Sequence, residues 1–180
     1  MDGFLGTLNR VSVPSPSAVA AVTRALAEKF GNRFSVNETV RAQHAHTLTW
    51  IENQPPDAVV FAQEAREVAD IVKLCAAHRV PVIPYGAGTS LEGHVTHVRG
   101  SITIDLSRMN KILDISIENR YARVQAGVIC DDLNRALAKH GFTFPPDPAS
   151  SSVATIGGNV NTNAGGIKGP KYGTTRDYVM

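Results

Sequence analysis

The stretch VIPYGAGTSLEGHV, residues 82–95, decides how the rest of the chain is read. A β-branched apolar run ends at Pro84 and opens onto Gly86, Gly88 and Gly93, with the hydroxyls of Thr89 and Ser90 between them. Glycines let backbone N–H groups come close to a bound anion, and hydroxyls set further donors beside them. Such a loop can hold two phosphates. The competing reading is a glycine-rich surface connection between two strands, and context has to separate the two.

Two known phosphate loops are excluded by their own requirements. No Gly-Lys-Ser or Gly-Lys-Thr follows the glycines, so no lysine is placed to reach a terminal phosphate. The dinucleotide pattern GxGxxG fails at its third glycine, and the following HVTHVRG, residues 94–100, lacks the helical periodicity that pattern needs. What remains is strand, anion-binding loop, strand.

The whole chain bounds the answer. Its 180 residues suffice for one domain with its own core, and 43% apolar with 19% charged residues is a globular composition. A net charge of +2 gives no argument for nucleic acid. Cys75 and Cys130 are far apart and form no CxxC, so they read as small core residues in a chain expected in a reducing cytoplasm. No apolar run approaches the roughly 20 residues that span a bilayer, and MDGFLGTLNR lacks the basic-then-apolar order of a secretory signal.

Taken in order, the chain opens with a helix over residues 15–30, with Val19, Val22, Leu26 and Phe30 at helical spacing and Gly31 as its stop. A short helix is expected over 37–46. His44 and His46, two apart, would face different sides of it, which argues for packing over a shared metal. Residues 1–53 form a helical lead-in, and the breaker cluster Gln54-Pro55-Pro56-Asp57 marks the start of the main domain, 54–180. A buried strand over 58–62, a helix over 64–79 with Val68, Ile71, Val72 and Cys75 on one face, and a strand over 80–84 make a β–α–β unit. That unit delivers the glycine loop at a strand's carboxyl end, where open α/β sheets place ligands. A strand over 101–106, a strand pair over 112–117 and 121–125, and a helix over 130–139 follow, with Asp131 and Asp132 complementing the helix dipole and Gly141 as its stop.

From residue 144 to 167 the chain reads FPPDPASSSVATIGGNVNTNAGGI. This long stretch reads as a loop without secondary structure, stiffened by prolines and rich in side-chain amides but empty of positive charge, and such loops are usually functional. Two uncharged, donor-rich loops in one α/β domain suit an extended anionic ligand with a planar group, a nucleotide-like cofactor.

The motifs PYGAGTSLEGHV, IDLSRMNKILDI, VQAGV, FPPDPASSSVATIGGNVNTNAGG and KYGTTRDYVM, in that order, resemble the FAD-binding domain of flavoenzymes of the vanillyl-alcohol-oxidase, or PCMH, type. Within it they are most similar to the branch of FAD-linked D-lactate dehydrogenases and glycolate oxidase subunits. The resemblance implies an α+β fold of two subdomains clasping FAD, here with the first α/β subdomain complete and the second only begun. It implies that Pro84, Tyr85, Gly86, Ala87, Gly88, Thr89, Ser90 and Leu91 wrap the pyrophosphate. Pro146, Asp147, Pro148, Thr155, Ile156, Gly157, Gly158, Asn161, Asn163, Ala164 and Gly166 would then line the flavin and its ribityl side. Tyr172, Gly173 and Thr174 match the next family motif.

Relatives that attach the flavin covalently have a histidine where this sequence has Thr89, so the resemblance implies FAD held non-covalently. Its cap domain, its adenine-side glycine segment and its C-terminal histidines for metal and substrate have no counterpart in these 180 residues. No catalytic or metal residue is carried over, and the segment by itself is expected to be inactive and to bind FAD poorly. The implied reaction is oxidation of a small 2-hydroxy acid to the 2-oxo acid with hydride transfer to FAD, a cytochrome or quinone taking the electrons. SLEGHV and YGTTRD lean toward D-lactate, GGNVNTNAGG toward glycolate. A non-catalytic flavin- or nucleotide-binding module, with a subunit partner or self-association, is the alternative.

Overall fold

The computed structural model describes residues 13–47, 49–96 and 98–180. Its centre is strand β4 (Ile102–Asp105), of which every residue is buried. On one side β4 pairs in parallel with β2 (Ala58–Phe61), and on the other with β3 (Val82–Tyr85). A two-residue strand β1 (Phe34–Ser35) adds antiparallel to β2, giving the order β1-β2-β4-β3. Burial from both faces accounts for the near-continuous apolar sequence of β2. β3 takes the edge, the one place in a sheet where Pro84, lacking an N–H, removes no ladder bond.

Helix α3 (Ala65–Ala77) joins β2 to β3, so the expected β–α–β unit is present with β4 inserted between its strands. It stops short of Arg79, which turns to a φ of 55° while the Val80 N–H returns to the Cys75 carbonyl. Ile71 and Cys75 enter the core. Burial pushes the Cys75 thiol up to about 11, and burial first of all raises that of Cys130. Both behave as small apolar residues, as their spacing implied.

The described part of the lead-in belongs to the same sheet layer. Helix α1 (Pro16–Phe30) starts at Ser15, whose hydroxyl accepts the Ala18 N–H, and drives Val22, Leu26 and Phe30 into the core with Ile71, Ile102 and Ile104. Helix α2 (Glu38–Ala45) starts at Asn37, whose side chain accepts the Val40 N–H, and it lies against β2. Arg33 clamps the two parts, with Nη1 and Nη2 donating to the Glu67 carboxylate at 2.8 and 2.6 Å.

A second layer is built on the hairpin β5 (Ile112–Ser116) and β6 (Tyr121–Val124), turned through Arg120 at a φ of 55°. Helix α4 (Cys130–Ala138) packs Leu133 and Leu137 with Val128, Ile115, Val124 and Phe144 in a smaller core of its own.

The long stretch expected to lack secondary structure holds helix α5 (Ile156–Thr162). Thr155 caps it through its hydroxyl on the Gly158 N–H, and Asn163 closes it in the left-handed conformation. Gly157 and Gly158 are poor helix formers, which hid it. Tertiary contacts overrule that propensity: the Ile156 N–H donates to the Val128 carbonyl and the Gly157 N–H to that of Ala126, at 2.8 and 2.7 Å. A further turn, α6 (Gly169–Tyr172), follows.

Because Leu26 is only 1% exposed, Leu26→Ala should lower stability by about 2–5 kcal/mol, read as a shift in the urea midpoint. A shift below about 1 kcal/mol would show that α1 is an appendage.

Candidate functional site

The β3–β4 ladder ends with the Leu106 N–H donating to the Tyr85 carbonyl at 3.0 Å. Beyond it the glycine loop begins. Among the described residues, the N–H groups of Gly86, Ala87, Gly88, Thr89, Ser90 and Leu91 have no acceptor within the protein. Native structures leave few backbone donors unpaired away from bulk water, and five of these six belong to half-buried residues, Leu91 being exposed, so the run is open to acceptors from outside.

The first N–H groups of α5 are in the opposite state. Those of Ile156, Gly157, Gly158 and Asn159 are all taken, by the Val128 carbonyl, the Ala126 carbonyl, the Thr155 hydroxyl and the Thr155 carbonyl. The second glycine-rich stretch therefore spends its first donors internally, while those of the first stay open.

Between the two runs a groove of about 770 Å3, a size usual for ligand sites. Pro84, Tyr85, Gly86, Ala87, Gly88, Thr89, Ser90 and Leu91 form one wall. Pro148, Thr155, Gly157, Gly158, Asn161, Asn163 and Ala164 contribute to the other, with Leu106 and Ala126 also lining it. The Ser150 hydroxyl reaches Thr89 Oγ1 at 3.3 Å and ties the walls together.

Four of the expected residues stand away from the groove. Pro146 is fully buried. Asp147 turns its carboxylate toward Lys168, whose N–H it accepts at 2.9 Å, and its backbone bridges to Gly166. Gly166, at a φ of 76°, lies so close to the Asp147 carbonyl that no side chain fits. Ile156 packs into the second core. Their part in this geometry is to hold the far wall in place.

Sequence reading passed over Ser150, Glu92 and His94 as lining residues. The triple serine of residues 150–152 and the polar end of SLEGHV were the available signals. Glu92 and His94, both exposed, sit beside Ser90: the Ser90 hydroxyl donates to the Glu92 carboxylate and lies 3.4 Å from His94 Nδ1. That bond from Ser90 holds the Glu92 carboxyl below the usual carboxylate range. No lysine or arginine lines the groove among the described residues, so its attraction for an anion comes from peptide dipoles.

A second groove, of about 780 Å3, runs beside the hairpin and is lined mainly by apolar residues such as Ile115, Leu137, Phe144 and Met180. Ile156 is its one member of the expected set, and it has no comparable run of unpaired donors.

Six free N–H groups, walls without lysine or arginine among the described residues and a groove of this size are compatible with a dinucleotide. Residues 56–180 match the family described as "FAD binding domain". The chain belongs to this family of FAD-binding domains, and its fold is the α+β fold of the PCMH or vanillyl-alcohol-oxidase type. It is 46% identical over 147 residues to the glycolate oxidase subunit GlcD of Bacillus subtilis (strain 168), covering 82% of this chain and 31% of that protein. It is 41% identical over 163 residues to a D-lactate dehydrogenase of Anaerostipes hadrus, covering 88% and 34%. A solved alkyldihydroxyacetonephosphate synthase superposes with a TM-score of 0.79 at 27% identity, over 88% of this chain and 32% of that one. The chain thus spans about a third of the length of these relatives.

Gly88 carries the conformational demand of the loop. Its φ is 66°, and a Cβ there would stand 2.7 Å from Tyr85 Oη. The obstruction falls on the tyrosine behind the loop and displaces the backbone from beneath. Gly88→Val should therefore add about 1–2 kcal/mol of backbone strain. FAD affinity should fall by about tenfold or more with the circular dichroism spectrum unchanged. Unchanged affinity in a fluorescence titration would remove the phosphates from this loop.

Proposed function

We propose that this chain supplies the pyrophosphate wall and the flavin-edge wall of an FAD-linked dehydrogenase that oxidises a small 2-hydroxy acid, D-lactate or glycolate, to the 2-oxo acid. The observation that carries the cofactor half is the run of unpaired N–H groups from Gly86 to Leu91 opposite a wall of glycine and asparagine. The substrate half is supported by the likeness to a glycolate oxidase subunit and a D-lactate dehydrogenase.

Bound FAD supplies the hydride acceptor; the residues here bind and orient it. In this reading the glycine loop meets the phosphates through peptide N–H groups. Asn161 and Asn163 offer amide and carbonyl groups to a ring edge, and Pro148 with Ala126 keeps that side apolar. A wall without charged side chains leaves the ring's electronics to whatever encloses its other face.

Attachment is non-covalent in this reading. Thr89 occupies the loop, both cysteines are buried, and His94 stands at the rim beside Ser90. After acid precipitation of the flavin-loaded protein, the yellow colour should stay in solution. Colour in the pellet that disappears in His94→Ala would overturn this.

The groove is open along one side, and enclosure of the remaining FAD surface is where much of the affinity would lie. The 180-residue chain should bind FAD no tighter than about 10 µM and turn over none of D-lactate, glycolate or 2-hydroxyglutarate with an artificial electron acceptor. Turnover of any of the three by this chain would place the catalytic groups within it. Absence of FAD binding even near 1 mM would count for a non-catalytic module of another kind.

A further inference from the structure

The residues behind the glycine loop form a buried polar cluster that the reading above does not use. His44, on α2, is 6% exposed and Asp105, at the end of β4, 5%. His44 Nε2 lies 2.8 Å from Asp105 Oδ2, and Nδ1 lies 2.7 Å from the Val40 carbonyl of its own helix. A carbonyl and a carboxylate are both acceptors, so whichever ring nitrogen carries a proton has an acceptor in place. The other carboxylate oxygen accepts the Ser107 N–H at 2.7 Å. The ring is thereby fixed at both ends, and a buried network satisfied in this way is stiff.

One face of that ring supports the cofactor wall. The centroids of His44 and Tyr85 are 4.5 Å apart at an interplanar angle of 52°, and Phe61 closes the edge at 5.8 Å. Tyr85 in turn lies against Gly88, whose missing side chain is what admits it. A continuous path of contacts runs from Asp105 through His44 and Tyr85 to the middle of the glycine loop. Of its members, His44 lies outside residues 56–180, the part that matches the family.

We propose that His44 is a positioning residue for the glycine loop: held by Asp105 and Val40, its ring backs Tyr85 and so sets the height at which the N–H groups around Gly88 are presented to the phosphates. The proposal deepens the flavin-binding reading and rests on it for the ligand. The loop's position is a property of the chain and can be measured without FAD.

His44→Gln is the informative change, because a glutamine amide can still donate to Asp105 while the ring face against Tyr85 is lost. Backbone amide order parameters from nitrogen-15 relaxation of the chain without ligand should then fall from about 0.85 toward about 0.6 across residues 85–91, with α3 and β4 unchanged. FAD affinity should weaken by about tenfold in a fluorescence titration. Tyr85→Ala should give the same loop effect, and the double variant should be no worse than Tyr85→Ala alone, the signature of residues acting through one path. Order parameters that fall equally in the loop, α3 and β4 would mean a merely structural role, and unchanged loop order parameters would end the proposal. If the wild-type chain takes up no FAD, the flavin reading fails, while the order-parameter comparison still decides whether His44 sets the loop.

Discussion

The hydrogen bond from the Leu106 N–H to the Tyr85 carbonyl is where the sheet stops supplying partners. Up to that point β3 is paired along its length with β4, whose four residues are all buried. One residue later the chain must find acceptors elsewhere, and six successive N–H groups have none within the protein. An edge strand ending in Pro-Tyr-Gly makes this possible. Proline tolerates the edge, tyrosine anchors the last position to the layer beneath, and glycine lets the backbone leave the sheet plane.

The groove exists because two separately built cores meet across it. The sheet layer fixes one wall through β3 and β4. The hairpin layer fixes the other through α5, whose first N–H groups are tied to the Val128 and Ala126 carbonyls just beyond β6. The bond between the Ser150 and Thr89 hydroxyls is one of the few direct links between the walls. Polar donors are thus divided by role: spent internally on one wall to shape it, kept free on the other to bind.

Much of this was legible in residue order. The amphipathic spacing of α1 and α3, the β-branched runs of β2 and β4, the glycine stop of α1 and the hairpin are local patterns. A local pattern is readable because burial selects one face at a fixed period. The two glycine-rich stretches that line the groove were equally visible, since glycine frees the backbone and proline restricts it wherever they occur.

Three features depended on contacts between residues distant in sequence. α5 has almost no intrinsic helical tendency and forms because carbonyls some 30 positions away accept its first N–H groups. β4 lies between the two strands of the β–α–β unit because its four residues are the most fully buried strand, and order within a sheet is set by total burial, which no single segment encodes. His44 reads in the sequence as an isolated histidine on a short helix, and it acquires a partner only when β4 brings Asp105 against it, 61 residues on. Chain order by itself determined most of the secondary structure elements, the family and the two glycine-rich runs that face the groove. Which donors remain free and what stands behind the loop were decided by the tertiary structure, because a hydrogen bond is made or left open by whichever acceptor the folded chain brings within about 3 Å.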